Sequence, residues 1–134
     1  MKSILFVEDD PFIYEVYSTR FREDGYVVDI ANNCEMAFEK IFQKYPDVVV
    51  LDVNFGDGQM SGIDLLKKVK SDPRAKNIRI LILSNYDRQY IDEHYDIVMA
   101  NFGDVHFFVK AETSVDDIVK AVDELLKHSA KKPS

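Results

Sequence analysis

The sequence predicts an α/β domain in which a parallel β-sheet carries helices on both faces. Five short apolar segments alternate along the chain with longer segments whose apolar residues recur every three or four positions. The short segments are almost wholly apolar, which is typical of strands that are buried on both faces. Strict alternation of strand and helix favours right-handed crossovers and therefore a doubly wound sheet.

The first strand and helix have the clearest boundary signals. Residues 3–7 form an apolar strand, and Asp10 followed by Pro11 predicts a helix start, because a carboxylate can cap free amide groups and proline fits the first turn. The helix is expected to span residues 11–24, with Gly25 as a left-handed stop. Helical spacing predicts an inward face made of Phe12, Ile13, Val16, Tyr17 and Phe21.

The later elements repeat this alternation. We expect further strands at residues 26–30, 47–52, 78–83 and 105–109. Two helices separate the second, third and fourth of these five strands, and a fourth helix is expected within residues 85–102, where the apolar period is irregular. A fifth helix follows Ser114, a predicted cap, with one stripe of apolar residues: Val115, Ile118, Val119, Val122, Leu125 and Leu126.

Length and charge bound the domain organisation and the partners. The chain has 134 residues, enough for one domain, which we place at residues 1–128 with a solvated tail at 129–134. Its 24 acidic and 17 basic residues give a formal net charge of -7. Because such a surface repels phosphate backbones and anionic lipids, we expect protein partners, no direct nucleic-acid binding and no membrane binding.

Cysteine content and hydropathy predict a cytoplasmic location. Cys34 is the only cysteine and has no partner within the chain for a disulfide. The amino terminus becomes acidic before a signal-peptide apolar region could finish, and no apolar run approaches the ~20 residues that span a bilayer. A reducing cytoplasm is therefore expected.

Charged and hydroxyl side chains follow the predicted strands. Glu8 and Asp9 come after the first strand, Asp52 ends the third, Ser84 follows the fourth and Lys110 follows the fifth. In doubly wound sheets, ligands bind at the carboxyl ends of the strands. Crowded carboxylates repel one another unless a proton or a cation relieves the repulsion, and Mg²⁺ prefers such oxygen ligands.

This set of residues suits phosphoryl transfer. A carboxylate such as Asp52 can attack phosphorus if a cation, Lys110 and Ser84 neutralise and hydrogen-bond the phosphoryl oxygens. Taken singly, each residue has a plainer explanation, since acidic residues cap helices and a lysine can extend its charge to solvent along the surface. Their shared position at the strand ends favours the functional interpretation.

Four motifs then resemble those of response regulator receiver domains, in particular chemotaxis-regulator-like ones. They are, in chain order, Ile-Leu-Phe-Val-Glu-Asp-Asp-Pro, Val-Val-Val-Leu-Asp, Ile-Leu-Ile-Leu-Ser and Phe-Phe-Val-Lys. The resemblance covers almost the whole chain. It implies a flavodoxin-like fold with five helices and a five-stranded parallel sheet of order 2-1-3-4-5. It also implies a phosphoacceptor receiver domain of a two-component system.

The resemblance assigns the metal and phosphoacceptor roles. Asp52 would receive the phosphoryl group in a reaction that depends on Mg²⁺ or Mn²⁺. Asp9, Asp52 and the backbone carbonyl of Asn54 would ligate the metal, and Glu8 would contact it through water.

The resemblance also implies a switch and its partners. Ser84 and Lys110 would hold the phosphoryl group, and Ser84 and Phe107 would move together as the switch, although Phe107 is equally well explained as an ordinary core aromatic. The output surface would lie around residues 85–102, the fifth strand and the last helix. The phosphodonor would be a sensor histidine kinase or a phosphotransfer protein, and the output would be an effector domain, a downstream protein or a phosphorylation-dependent dimer. Such a domain is a signalling switch that catalyses its own phosphorylation and dephosphorylation.

The sequence departs from this family at the rim of the site. The loop at residues 53–62 is about two residues longer than usual, Asn85 replaces a small residue, and Ala111 replaces a proline. The bulkier Asn85 would hinder the approach of a phosphodonor or phosphatase. Without the proline, the Lys110–Ala111 peptide is expected to be trans, because a cis bond before a residue other than proline costs about 3 kcal/mol.

Three other functions are less well supported. A phosphatase of the haloacid dehalogenase type needs a second aspartate two residues after its nucleophile, where this chain has Asn54. Flavodoxin-like cofactor binding needs a hydroxyl- or glycine-rich phosphate loop after the first strand, where this chain is acidic. A degenerate receiver that works without phosphorylation is disfavoured by the intact set of site residues.

Overall fold

The computed structural model describes residues 2–52, 62–75, 77–84 and 105–130. Within these ranges the chain forms a five-stranded parallel sheet of order β2-β1-β3-β4-β5. The strands are β1 (Ser3–Val7), β2 (Val27–Ala31), β3 (Val48–Asp52), β4 (Arg79–Ser84) and β5 (Val105–Val109). The predicted fold class and strand order are confirmed.

Four α-helices lie in the described ranges: α1 (Pro11–Glu23), α2 (Cys34–Lys44), α3 (Gly62–Lys70) and α4 (Val115–Ala130). A short 3-10 turn, Lys110–Glu112, follows β5. The helix predicted within residues 85–102 lies outside the described residues, as do the loop at residues 53–61 and the tail at 131–134. None of the described helices has the length and apolarity that a membrane crossing requires.

Local capping explains where the helices begin and end. The Asp10 side chain accepts a hydrogen bond from the Phe12 amide at 2.9 Å, and Pro11 occupies the first turn of α1. Gly25, which follows the end of that helix, has a φ of +93°, which favours glycine. At the start of α4, the side chains of Ser114 and Asp117 each accept from the other's backbone amide at 3.1 Å.

Two apolar layers enclose the sheet. One packs α2 and α3 against the sheet, and the other packs α1 and α4 against its opposite face. The predicted inward face of α1 was wrong for two residues, because Phe12 is 85% exposed and Val16 is 51% exposed. The apolar residues of α1 cover a wider arc of the helix than the sheet contacts, and only the side that carries Tyr17 and Phe21 is buried.

The strand register brings several predicted site residues to one edge of the sheet. Val7 of β1 is in register with Leu51, so the next residue of each chain segment, Glu8 and Asp52, lies at the carboxyl end of adjacent strands. On the other side of β3, Asp52 is in register with Leu83 of β4, and β5 follows β4 in the sheet.

Candidate functional site

The candidate site lies at the carboxyl ends of β1, β3 and β5. Asp52 is the last residue of β3 and is 2% exposed, while Glu8 directly follows β1 and is 3% exposed. Lys110 directly follows β5 and opens the 3-10 turn. Parallel strands thus bring together two buried carboxylates and one amine that are far apart in the sequence.

Lys110 links the two carboxylates. Its Nζ atom donates a hydrogen bond to Asp52 Oδ2 and lies 3.9 Å from Glu8 Oε2. The other oxygen of Glu8, Oε1, accepts a hydrogen bond from the Asp10 amide at 3.1 Å. One lysine therefore serves two buried carboxylates, and the cluster carries an excess of negative charge when both are ionised.

Glu8 is the residue of this cluster whose ionised form is least stabilised by its surroundings. Burial, a hydrogen bond with the Asp52 side chain and the charge of Asp52 together raise the pKa of Glu8 to about 8. The Asp10 amide and the charge of Lys110 only partly oppose this rise. Glu8 Oε2 is buried, and no described residue forms a hydrogen bond with it. A buried acceptor without a partner is costly, so this oxygen is suited to an additional ligand.

These groups fit a hard divalent cation. A carboxylate oxygen that forms no hydrogen bond, beside a second buried carboxylate, is the ligand chemistry that Mg²⁺ prefers, and a cation would balance the excess charge. Within the described ranges no three acidic, histidine or cysteine side chains form a ready-made metal cluster. Asp9 is exposed two residues beyond the end of β1, and Asn54 lies outside the described residues.

The two predicted switch residues, Ser84 and Phe107, lie on β4 and β5. Ser84 is the last residue of β4 and pairs with Val109, which puts its backbone between the strands that end in Asp52 and Lys110. The Ser84 side chain lies outside the described part of the chain. Phe107 is 8% exposed and belongs to the apolar layer that contains α2 and α3.

Of the departures at the rim of the site, only Ala111 lies within the described residues. Asn85 lies outside the described residues. Ala111 belongs to the 3-10 turn that follows Lys110, and no peptide bond in the described ranges is cis. The lysine is therefore presented to the site from a turn whose peptide bonds are trans.

Sequence reasoning overlooked one aromatic residue near the site. Tyr17 was predicted only as a core residue, and its ring does stack on Phe6 with centroids 4.9 Å apart. Burial raises the pKa of its phenol, and the charges of Asp52 and Glu8 raise it further. Tyr17 therefore lies within the electrostatic range of the carboxylates. The sequence does contain a signal for this position, because Tyr17 lies on the predicted inward face of α1, the helix that begins directly after the acidic residues 8–10.

Comparison with protein families and curated proteins gives a consistent result. The family model of the response regulator receiver domain matches residues 4–123. The probable transcriptional regulatory protein TcrX of Mycobacterium tuberculosis is 28% identical over 127 residues, which cover 95% of this chain and 50% of the relative. The chain spans half or less of the length of the first curated relatives that it matches.

Solved structures show the same fold. A CheY-like response regulator receiver domain protein from Methanospirillum hungatei superposes with a TM-score of 0.82 over 99% of both chains, at 22% identity. The response regulator TrrA from Thermotoga maritima, solved in complex with Mg²⁺-BeF, has a TM-score of 0.74 and is 29% identical. That match covers 93% of this chain and 99% of TrrA.

Proposed function

Because this chain belongs to the family of response regulator receiver domains, which act in two-component systems, we propose that Asp52 accepts a phosphoryl group in a Mg²⁺-dependent reaction. The observation that carries this proposal is the contact of the Lys110 ammonium with the buried Asp52 carboxylate, beside a Glu8 oxygen that forms no hydrogen bond with the described residues. The nucleophilic oxygen of Asp52, the positive charge of Lys110 and a Glu8 oxygen that can face a hydrated cation thus lie at one edge of the sheet.

The chain's own residues account for most of the chemistry. Oδ of Asp52 attacks the phosphorus of the donor, and the bond from phosphorus to the donor's nitrogen or acyl oxygen breaks, with its electron pair leaving on the donor. Lys110 then turns from neutralising the carboxylate to neutralising the phosphoryl oxygens, which costs little rearrangement because it already lies against Asp52. No general base is needed, because the nucleophile is a carboxylate and not a hydroxyl.

A divalent cation would complete the charge balance. Mg²⁺ or Mn²⁺, when bound, supplies positive charge to the phosphoryl oxygens and to the carboxylates. Asp9, Asp52 and the Asn54 carbonyl would ligate it, and Glu8 would contact it through water. The related TrrA was solved in complex with Mg²⁺-BeF, which supports a divalent cation in the proposed reaction.

Phosphorylation would act on a two-state element of the fold. We assign the Ser84 hydroxyl to the phosphoryl oxygens and Phe107 to the coupled rearrangement, because Ser84 ends the strand between those of Asp52 and Lys110. Phe107 has no phenol hydroxyl, so only the burial of its ring can differ between the two states. Phosphorylation can shift this equilibrium only by the difference in contact free energy between them.

The partners follow from the family and from the relatives. A sensor histidine kinase or phosphotransfer protein would supply the phosphoryl group. Because the chain covers half of the transcriptional regulator TcrX, the output would pass to an effector domain, a downstream protein or a phosphorylation-dependent dimer. The buried free thiol of Cys34 suits a reducing cytoplasm, where we place the domain. The domain thus works as a signalling switch.

Chemical mapping of the phosphoryl group tests the proposal. The protein is incubated with Mg²⁺ and a small acyl-phosphate donor, then reduced with borohydride, which converts an aspartyl phosphate into homoserine. We expect homoserine at position 52 and none when a chelator removes divalent cations. Homoserine at another position, or labelling that persists without any divalent cation, would contradict the proposal.

A further inference from the structure

Strand β2 lies at one edge of the sheet and pairs, within the described ranges, with β1 alone. The Val27 amide donates to Lys2 O at 3.0 Å, and the Ala31 carbonyl accepts from the Glu8 amide at 3.0 Å, so both residues direct their backbone groups toward β1. Backbone groups alternate along a strand, and those of Val28 and Ile30 therefore point away from the sheet. Such outward groups are a template on which another strand can pair.

Side chains occupy the outward groups of Ile30. Its amide donates to Asp29 Oδ1 at 2.9 Å, and its carbonyl accepts from Lys40 Nζ of α2 at 2.7 Å. The outward carbonyl of Val28 lies 3.5 Å from the Arg22 guanidinium, at the limit of a hydrogen bond. The carboxyl half of the strand edge is thus closed, while the amino half is only loosely covered.

The closing side chains hold one another in place. Lys40 Nζ also donates to Asp29 Oδ1 at 2.9 Å, and Lys44 Nζ donates to Asp29 Oδ2 at 2.8 Å. Burial alone would raise the pKa of Asp29, but hydrogen bonds from the two lysines and from the Ile30 amide outweigh it, and the pKa is lowered. Both oxygens of the carboxylate are therefore engaged, and the group stays ionised at neutral pH.

We propose that Asp29, Lys40 and Lys44 form an edge cap that prevents β2 from pairing with the β2 strand of a second copy of this chain. An incoming strand needs the amide and carbonyl of Ile30, and both are already bonded to side chains. A two-fold antiparallel pair would also bring the lysines of both copies together, which repel. A second copy is the relevant occupant because identical edges are self-complementary. The edge cap does not depend on the proposed phosphorylation.

Removing the edge cap tests this inference. Lys40→Met with Asp29→Ala frees the outward groups of Ile30, because neither new side chain can donate or accept a hydrogen bond there. Lys67→Met, which removes an exposed lysine from α3, is the matched control. Light scattering across a dilution series gives the dimerisation constant, and circular dichroism confirms folding. We expect the double variant to dimerise at least about tenfold more tightly than wild type, because the amide and carbonyl of Ile30 become free to form hydrogen bonds with the second copy. The control is expected to match wild type.

A third substitution shows whether association uses β2. The Val28 amide points outward, so Val28→Pro breaks no hydrogen bond to β1 but prevents strand pairing. Added to the double variant, it is expected to return the dimerisation constant to the wild-type value. If the double variant fails to fold, Lys40→Met alone is measured in the same way. Association equal to the Lys67→Met control, or association that survives Val28→Pro, overturns the proposal.

Discussion

Two clusters of carboxylate and lysine side chains in this chain have opposite properties. In the edge cap, two lysines serve one carboxylate, both oxygens of Asp29 are hydrogen-bonded, and its pKa is lowered. At the candidate site, one lysine lies beside two carboxylates, and Glu8 Oε2 forms no hydrogen bond with any described residue. The pKa of Glu8 is raised to about 8. The edge cap is saturated, and the candidate site is not.

This difference separates a structural ion cluster from a binding one. A carboxylate with all its partners gains little from another ligand and serves only to hold backbone and side chains in place. A buried carboxylate that lacks partners is destabilising in the ligand-free protein, and a cation or a new hydrogen-bond donor would relieve that cost. Unsatisfied burial, more than the presence of charge, therefore distinguishes the proposed phosphorylation site from the edge cap.

The largest expected effect is on the rate of phosphorylation, and it distinguishes Lys110 of the candidate site from Lys40 of the edge cap. Lys110→Ala removes the ammonium that contacts Asp52, and we expect phosphorylation by a small acyl-phosphate donor to slow by about 10²- to 10³-fold, as for loss of one preorganised charge-stabilising donor. Lys40→Ala removes the corresponding lysine of the edge cap and is expected to leave the rate unchanged. The rates are followed by intact-protein mass. Equal rates in the two variants would show that the clusters do not differ in this way.

A smaller effect concerns pH and stability without divalent cations. The folded pKa of Glu8 is about 8, against an ordinary value of 4.5, so between these pH values the folded protein holds a proton that the unfolded chain has lost. The free energy of unfolding should therefore fall as pH rises through this window. Glu8→Gln removes the effect, and we expect it to be about 1–3 kcal/mol more stable than wild type at pH 9, with no gain at pH 4.

Asp29→Asn is the control, because the contribution of Asp29 to stability depends on pH in the opposite direction to that of Glu8. Because the pKa of Asp29 is lowered, its contribution to stability is present above its ordinary value of 3.8 and is lost as pH falls below that value. The variant is expected to be less stable than wild type at pH 7 by about 1 kcal/mol at most, because Asp29 is partly exposed. Urea unfolding in chelator measures both variants. A Glu8→Gln variant that is less stable than wild type at pH 9 would refute the account of that carboxylate.

Much of the fold could be predicted because its signals are local. The first and last strands have the predicted bounds, and the caps at Asp10, Gly25 and Ser114 depend only on nearby residues. The strand β2 begins and ends one residue later than expected, since hydrogen bonding to β1 sets its register. The exposure of Phe12 could not be predicted, because tertiary packing decides which arc of α1 meets the sheet.

The sequence predicts which side chains meet at this edge of the sheet, but not how deeply each of them is buried or how far its pKa shifts. The strand ends identify Glu8, Asp52 and Lys110, since all parallel strands direct their carboxyl ends to one edge. That Glu8 is buried while its neighbour Asp9 is exposed depends on the register of β1 against β3. The edge cap is a tertiary feature as well, because the contact of Lys40 with the Ile30 carbonyl requires α2 to pack beside β2.

The most direct measurement compares two carboxylate substitutions in one labelling reaction. Wild type, Asp52→Asn and Asp29→Asn are each incubated with Mg²⁺ and a small acyl-phosphate donor, and the mass of each intact protein is recorded. A phosphoryl adduct is expected on wild type and on Asp29→Asn, and none on Asp52→Asn. Equal labelling of Asp52→Asn and wild type would contradict it.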